Sequence, residues 1–247
     1  MHGQTGAVAE RVALGLTRTH PTLLMPVPRA TPDEIAAAGH PRPEILACDL
    51  CAPDVCEKIT SALKAIDAEV ETVVNNAGYG LFGEAIDLDR AQQLAMVDLN
   101  VRVLTDLTLR FADSIVKNRG GILNVASIAS FLPGPRMAVY YATKAYVLSY
   151  SEALAEELRG TGVTVTALCP GPTTSGFQDK ASMHDSALVK GRRLPTSAEV
   201  AAYGVKAMRR GQRVAIHGCM NWLMAQSVRF TPRALVTRVV ALMSRPV

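Results

Sequence analysis

Gly121-Ile122-Leu123-Asn124-Val125-Ala126-Ser127 is a short apolar run closed by a hydroxyl, and it reads as a buried strand. Phe131-Leu132-Pro133-Gly134-Pro135 follows as a loop by its Pro-Gly content. Next comes Val139-Tyr140-Tyr141-Ala142-Thr143-Lys144, where a long helix begins. Residues at i and i+4 share a helix face, so Tyr140 and Lys144 project together into whatever cleft that helix borders. A phenol with pKa about 10 is a poor acid-base group at neutral pH, and a neighbouring cation favours its ionised form. Tyr-x-x-x-Lys alone carries little weight; its neighbours give it meaning. Thr72-Val73-Val74-Asn75-Asn76-Ala77-Gly78 is a second apolar strand closing on a small polar turn, and Val163-Thr164-Val165-Thr166-Ala167-Leu168-Cys169 a third, closing on Pro170-Gly171-Pro172. Strands that end in polar or turn residues and alternate with helical stretches describe an open parallel sheet, with ligands beyond the carboxyl ends of the strands.

Asn75-Asn76-Ala77-Gly78, Asn100 within Asp98-Leu99-Asn100-Val101, Ser127, Tyr140 with Lys144, and Pro170-Gly171 stand in the order and at the usual spacing of the short-chain dehydrogenase/reductase family. The chain resembles that family over roughly residues 44 to 218. The resemblance implies a Rossmann-type doubly wound parallel sheet in three α/β/α layers, one domain over residues 1–247. It implies Asn100, Ser127, Tyr140 and Lys144 as the catalytic set. Gly3, Arg29, Asp49, Leu50, Asn76, Ala77, Gly78, Tyr140, Lys144, Pro170, Gly171, Thr173 and Ser175 are the corresponding nicotinamide-cofactor positions. In the family, Asp49-Leu50 lies beside the adenine, and the loop from Pro170 to Ser175 covers the nicotinamide.

The family pattern is damaged at the N-terminus. Its first apolar strand, running into Thr-Gly-x-x-x-Gly-x-Gly, is missing here. Gly3 aligns with the first glycine, leaving Ala7 and Ala9 where the other two belong, ahead of an expected amphipathic helix over Glu10–Leu16. A late-assigned start, a truncation or decay would each explain it. Thr22–Arg29 resembles the second strand, cut short by Pro26 and Pro28. The family reads the adenosine ribose there, so Arg29 implies NADP(H) over NAD(H). Thr31–Gly39 should be a short helix, by its capping residue, Pro32 and terminal glycine. Glu44–Leu50 reads as the third strand.

The 247 residues are 49% hydrophobic and 19% charged, with 26 basic against 22 acidic residues and no basic block. That describes a globular protein with an ample core and gives no case for nucleic acid. Five scattered cysteines suit a reducing compartment, and no signal-peptide pattern or long apolar run is present, so a cytoplasmic protein is expected. Cys48-x-x-Cys51 is followed by no second pair at finger-like spacing, and no metal site is expected. Asp89 to Asn118 is continuously helix-compatible, with Leu94, Val97, Val101, Leu104 and Leu107 on its apolar side. In related proteins this helix also builds a dimer interface, implying a homodimer or homotetramer. Tyr79, Leu81 and Phe82 are candidates for a cleft wall, or for packing.

Residues 177 to 195 form a variable lid in related proteins. His184 reads there as a solvent-facing residue rather than a catalyst. The last stretch, from about residue 220 to 247, is an amphipathic tail with interspersed Arg229, Arg233, Arg238 and Arg245. It could pack on the sheet, cover a neighbouring subunit or make peripheral contact with a membrane. The function these features imply is hydride transfer between a nicotinamide cofactor and a ketone, aldehyde or secondary alcohol. The alternative is a non-catalytic relative that has lost cofactor binding and serves as a binding or regulatory module.

Overall fold

The computed structural model describes residues 12–14, 44–46, 48–174 and 194–244, which fall into two compact units divided between Glu69 and Val70. In the first unit, β1 (Val12–Leu14) pairs antiparallel with β2 (Glu44–Leu46), Val12 opposite Leu46. A helix was expected over Glu10–Leu16. Its centre is instead extended, because pairing satisfies the backbone groups of both short strands and overrides a weak helical pattern. The strand expected over Glu44–Leu50 stops at Leu46. Asp49 then turns the chain: its carbonyl accepts from Ala52 N (3.1 Å) and its carboxylate from Cys51 N (2.9 Å). Helix α1 (Val55–Ala65) buries Val55, Ile59 and Leu63, a stripe at four-residue spacing. Thr22–Arg29, Thr31–Gly39 and the residues Gly3, Ala7, Ala9, Arg29, Ser175 and His184 lie outside the described residues.

The second unit is a parallel sheet of β3 (Thr72–Asn75), β4 (Gly121–Val125), β5 (Thr164–Cys169) and β6 (Val214–Ile216), in that spatial order. Thr72 stands opposite Gly121, and Gly121 opposite Thr164. Each crossover is helical. Between β3 and β4 lie α2 (Arg90–Val97), a π-helical segment (Asp98–Val103), α3 (Leu104–Arg110) and α4 (Ala112–Lys117). The single helix expected from Asp89 to Asn118 is thus interrupted twice, at Asp98 and at Phe111. Helix α5 (Ala138–Glu157) follows β4, and α6 (Ser197–Arg209) precedes β6. A capping box between Thr196 and Glu199 starts α6, each side chain holding the other's backbone N–H. The chain ends in α7 (Cys219–Ser227) and α8 (Arg233–Met243).

Strand alternation separates the two faces. A side chain on Gly121 would meet Met208 of α6, and one on Gly204 of α6 would meet Leu168, so α6 covers the face of residues 121 and 168. The other face packs against α3 and α5, where Leu104, Val147 and Leu148 join Ala167 and Cys169 in one buried cluster. Helices on both faces of a parallel sheet make the three-layer architecture that the sequence implied.

A polar ladder runs through this second interface. Asn75 Nδ2 donates to Thr108 Oγ1 (2.9 Å) and to Asn124 Oδ1 (2.7 Å), and Asn124 Nδ2 donates to Ser151 Oγ (2.9 Å). Both hydroxyls donate in turn to their own helix, at Leu104 O and Val147 O. Two strands and two helices are thereby fixed in register by bonds that exist only in one arrangement.

Candidate active site

Every strand of the parallel sheet ends on the same edge, and the sequence-predicted residues of the second unit gather there. Tyr140 and Lys144 lie on the first turns of α5 and are 9% and 6% exposed, so both side chains face inward. Lys144 Nζ donates to the carbonyl of Val125, the last residue of β4, at 2.7 Å. It also stands 5.9 Å from the centre of the Tyr140 ring, within cation–π range.

Ser127 leaves β4 in an extended conformation and caps a 3-10 turn, Ile128–Phe131: its Oγ accepts from Ala129 N at 3.1 Å. Ser130 closes the box, receiving Ser127 N (3.3 Å) and donating to the carbonyl of Lys144 (2.7 Å). One hydroxyl thus ties the Ser127 loop to the turn of α5 that carries the lysine. The Ser127 side chain also hydrogen-bonds Tyr140.

Asn100 sits in the π-helical segment and is 1% exposed. Its Oδ1 accepts from Tyr79 N (3.2 Å), while Nδ2 donates to Tyr79 O (3.0 Å) and Thr143 Oγ1 (3.1 Å). Thr143 passes its own proton to Tyr140 O (2.7 Å). The amide therefore joins the turn after β3 to the first turn of α5. A π-bulge widens a helix locally and turns one side chain out of the regular ladder, which suits an inward-facing amide. Gly78 is pressed into the same corner: a Cβ there would lie 2.8 Å from Asn100 Oδ1 and 3.5 Å from Lys144 Nζ. Only glycine fits that approach without displacing the amide.

The electrostatics depart from expectation. A lysine neighbour was expected to lower the Tyr140 pKa, yet burial pushes the phenol up to about 12. The hydrogen bond from Ser127 opposes the rise and the Tyr141 phenol adds to it. Removing the hydroxyl from water penalises the phenolate more than its neighbours favour it, and the Lys144 ammonium is engaged by Val125 O. Burial also pushes the Cys169 thiol up to about 12, which makes it a packed rather than a reactive sulfur.

Asn76, Ala77 and Gly78 run half-exposed past the end of β3, and Pro170, Gly171 and Thr173 past the end of β5. Pro170 O accepts from Ile128 N (2.9 Å), linking this turn to the Ser127 loop. Thr173 Oγ1 donates to Gly171 O (3.0 Å), and Thr174 pairs with Thr196 as an isolated bridge. Small, half-exposed residues beside a buried ammonium fit the nicotinamide end of a dinucleotide, whose ribose hydroxyls would take one cation. Asp49 and Leu50 belong to the first unit, the former exposed and the latter buried. Tyr79, Leu81, Phe82 and Tyr141 pack around Met96, Ala129, Met137 and Tyr140, so they serve both as core and as the wall beside the phenol. Ser130 and Thr143 were missed by sequence reasoning. The Ser-x-x-Ser spacing of a capping box could have pointed to Ser130, but nothing marks Thr143.

Similarity to known proteins agrees with this geometry. The chain is 37% identical over 136 residues to a sulfoacetaldehyde reductase of Chromohalobacter salexigens, covering 54% of each protein. It is 32% identical over 133 residues to a serine 3-dehydrogenase of Agrobacterium fabrum, covering 53% of each. The chain spans about half the length of the curated relatives it matches. Among solved structures, a short-chain dehydrogenase from Sphingobium yanoikuyae in complex with NADPH superposes with a TM-score of 0.67 at 26% identity, over 80% of this chain and 77% of that one. A 7beta-hydroxysteroid dehydrogenase shares the fold, with a TM-score of 0.71 at 20% identity over 85% of this chain and 80% of that one. The model of the short chain dehydrogenase family matches residues 25–186, which is most of the chain and contains every element around Tyr140 and Lys144. This chain belongs to the short chain dehydrogenase family.

Proposed function

We propose that the chain is a nicotinamide-dependent oxidoreductase acting on a ketone or aldehyde, or in reverse on a secondary alcohol, with NADP(H) preferred over NAD(H). One observation carries the reading: Ser127, Tyr140, Lys144 and Asn100 converge on one sheet edge and are held there by the shared bonds of Ser130 and Thr143. When bound, the cofactor supplies or accepts the hydride. In the reducing direction Tyr140 gives its proton to the carbonyl oxygen, and Ser127 donates a hydrogen bond to that oxygen as charge develops. Lys144 holds the ribose hydroxyls and steadies the phenolate that Tyr140 becomes. Asn100 positions the water through which the proton is returned.

Burial keeps Tyr140 protonated before reaction, and Lys144, 5.9 Å from the ring centre, is the cation that would favour the phenolate left after proton transfer. By the family resemblance, Asn76, Ala77, Gly78, Pro170, Gly171, Thr173 and Ser175 correspond to cofactor-lining positions, Asp49 and Leu50 to adenine positions, and Gly3 and Arg29 to phosphate positions. The preference for NADP(H) rests on Arg29 and on the NADPH complex of the Sphingobium relative. We read residues 1–247 as one such domain, assembled as a homodimer or homotetramer. The five cysteines are thiols rather than disulfides, which fits a cytoplasmic location.

Titration of the chain with NADPH and separately with NADH, followed by nicotinamide fluorescence, tests the reading. Saturable binding that favours NADPH is expected, followed by turnover in a screen of carbonyl compounds. Binding of neither dinucleotide would overturn it and favour the non-catalytic alternative.

A further inference from the structure

The charge of this chain is segregated along its length. After Glu199 there are eight Lys and Arg residues and no Asp or Glu, leaving 18 basic against 22 acidic residues before that point. The same segment carries much of the exposed apolar surface. Helix α8 buries Val236 and Val240, yet Leu235 (51% exposed), Val239 (44%) and Leu242 (57%) form a second stripe on its outer side at i, i+4 and i+7 spacing. Phe230, between α7 and α8, is 88% exposed. Arg229, Arg233 and Arg238 alternate with these residues along the sequence and all three are exposed, and among the described residues no ion pair of theirs is seen. No described helix is long and apolar enough to cross a membrane.

From an outward apolar stripe within a purely cationic segment, we infer that α8 and the turn before it seat the protein on an anionic lipid surface. The helix lies in the plane of the headgroups. Leu235, Val239 and Leu242 enter the acyl boundary, and the three arginines meet lipid phosphates. Charge selects this occupant over a second copy of the chain, since two such faces brought together would juxtapose like charges. The seating is independent of hydride transfer, because its readout needs no cofactor.

The test is flotation of the full chain with vesicles of phosphatidylcholine alone and of phosphatidylcholine mixed with phosphatidylglycerol, at low and high salt. Binding to the anionic vesicles only, weakened by salt, is expected. Combining Arg229→Gln, Arg233→Gln and Arg238→Gln should lower apparent affinity on the order of 100-fold. Combining Leu235→Gln, Val239→Gln and Leu242→Gln should abolish binding with every charge intact. These positions are exposed, and far-UV circular dichroism checks that the variants fold; the salt dependence of the unsubstituted chain needs no variant. No binding to the anionic vesicles, binding indifferent to lipid charge, or binding that survives both triple substitutions would overturn the inference. So would an oligomer, measured by light scattering, that falls to monomer in the Leu/Val variant while the parent chain ignores vesicles.

Discussion

Tyr140 is the residue on which the proposed chemistry turns, and its burial makes two predictions. Tyr140→Phe removes one oxygen from a packed ring and leaves the shape of the site. Turnover should fall by about 1,000-fold or more, with the dissociation constant for NADPH within about twofold of the parent. Residual activity near the parent's would remove Tyr140 from the mechanism. The second concerns alkaline stability. The folded chain holds the Tyr140 proton to about pH 12, whereas an unfolded chain releases it near the ordinary value of 10. The raised pKa thus contributes stability that is present below pH 10 and lost as pH rises towards 12, in total roughly 2–3 kcal/mol. Urea midpoints between these limits should fall more steeply for the parent than for Tyr140→Phe; parallel curves would contradict the burial. At this scale the convergence of Asn100, Ser127, Tyr140 and Lys144 was legible through the family resemblance, whose residue types sit at fixed spacings. Ser130 and Thr143 were not, since each acts by bonding a backbone carbonyl, and such a bond leaves no pattern in a sequence.

Among the elements, β3, β4 and β5 were legible from apolar runs ending in turns, and α5 from the loop before it. The interruption at Asp98–Val103 was hidden, because a π-bulge keeps a helical pattern of side chains and changes only the hydrogen-bond register. β1 was hidden for another reason: its three residues are extended by their pairing with β2, which a local reading does not see. The ladder from Thr108 through Asn75 and Asn124 to Ser151 shows what binds elements to one another. Asn124→Ala leaves Asn75 and Ser151 each short of a buried partner, and should destabilise the protein by about 2–3 kcal/mol, read from chemical denaturation. A loss within about 0.5 kcal/mol would mean that the ladder is not holding β4 against α5.

For the whole molecule, composition indicated the class and the basic tail was visible, but not which of its faces turns outward. The exposed residues Leu94, Val97, Leu109 and Tyr146 lie on α2, α3 and α5, away from that tail in sequence. Light scattering should report a dimer or tetramer for the chain, and Leu109→Glu should shift it towards monomer by placing a charge in an apolar contact. A monomer at all concentrations, or an assembly unmoved by Leu109→Glu, would reject α3 as the contact.

Arg136 connects two of these scales. Its guanidinium donates to Ala241 O (3.4 Å) and Ser244 O (3.1 Å) at the end of α8 and pairs with Glu84 (3.2 Å), while its own carbonyl receives Gly83 N (2.8 Å). The side chain stands just before α5, so a single residue grips the tail with one end and the wall beside Tyr140 with the other. Arg136→Ala removes both holds at once, so amide exchange should quicken in the last turn of α8 and around Gly83 together; exchange that changes at one end alone would show that the two contacts are independent.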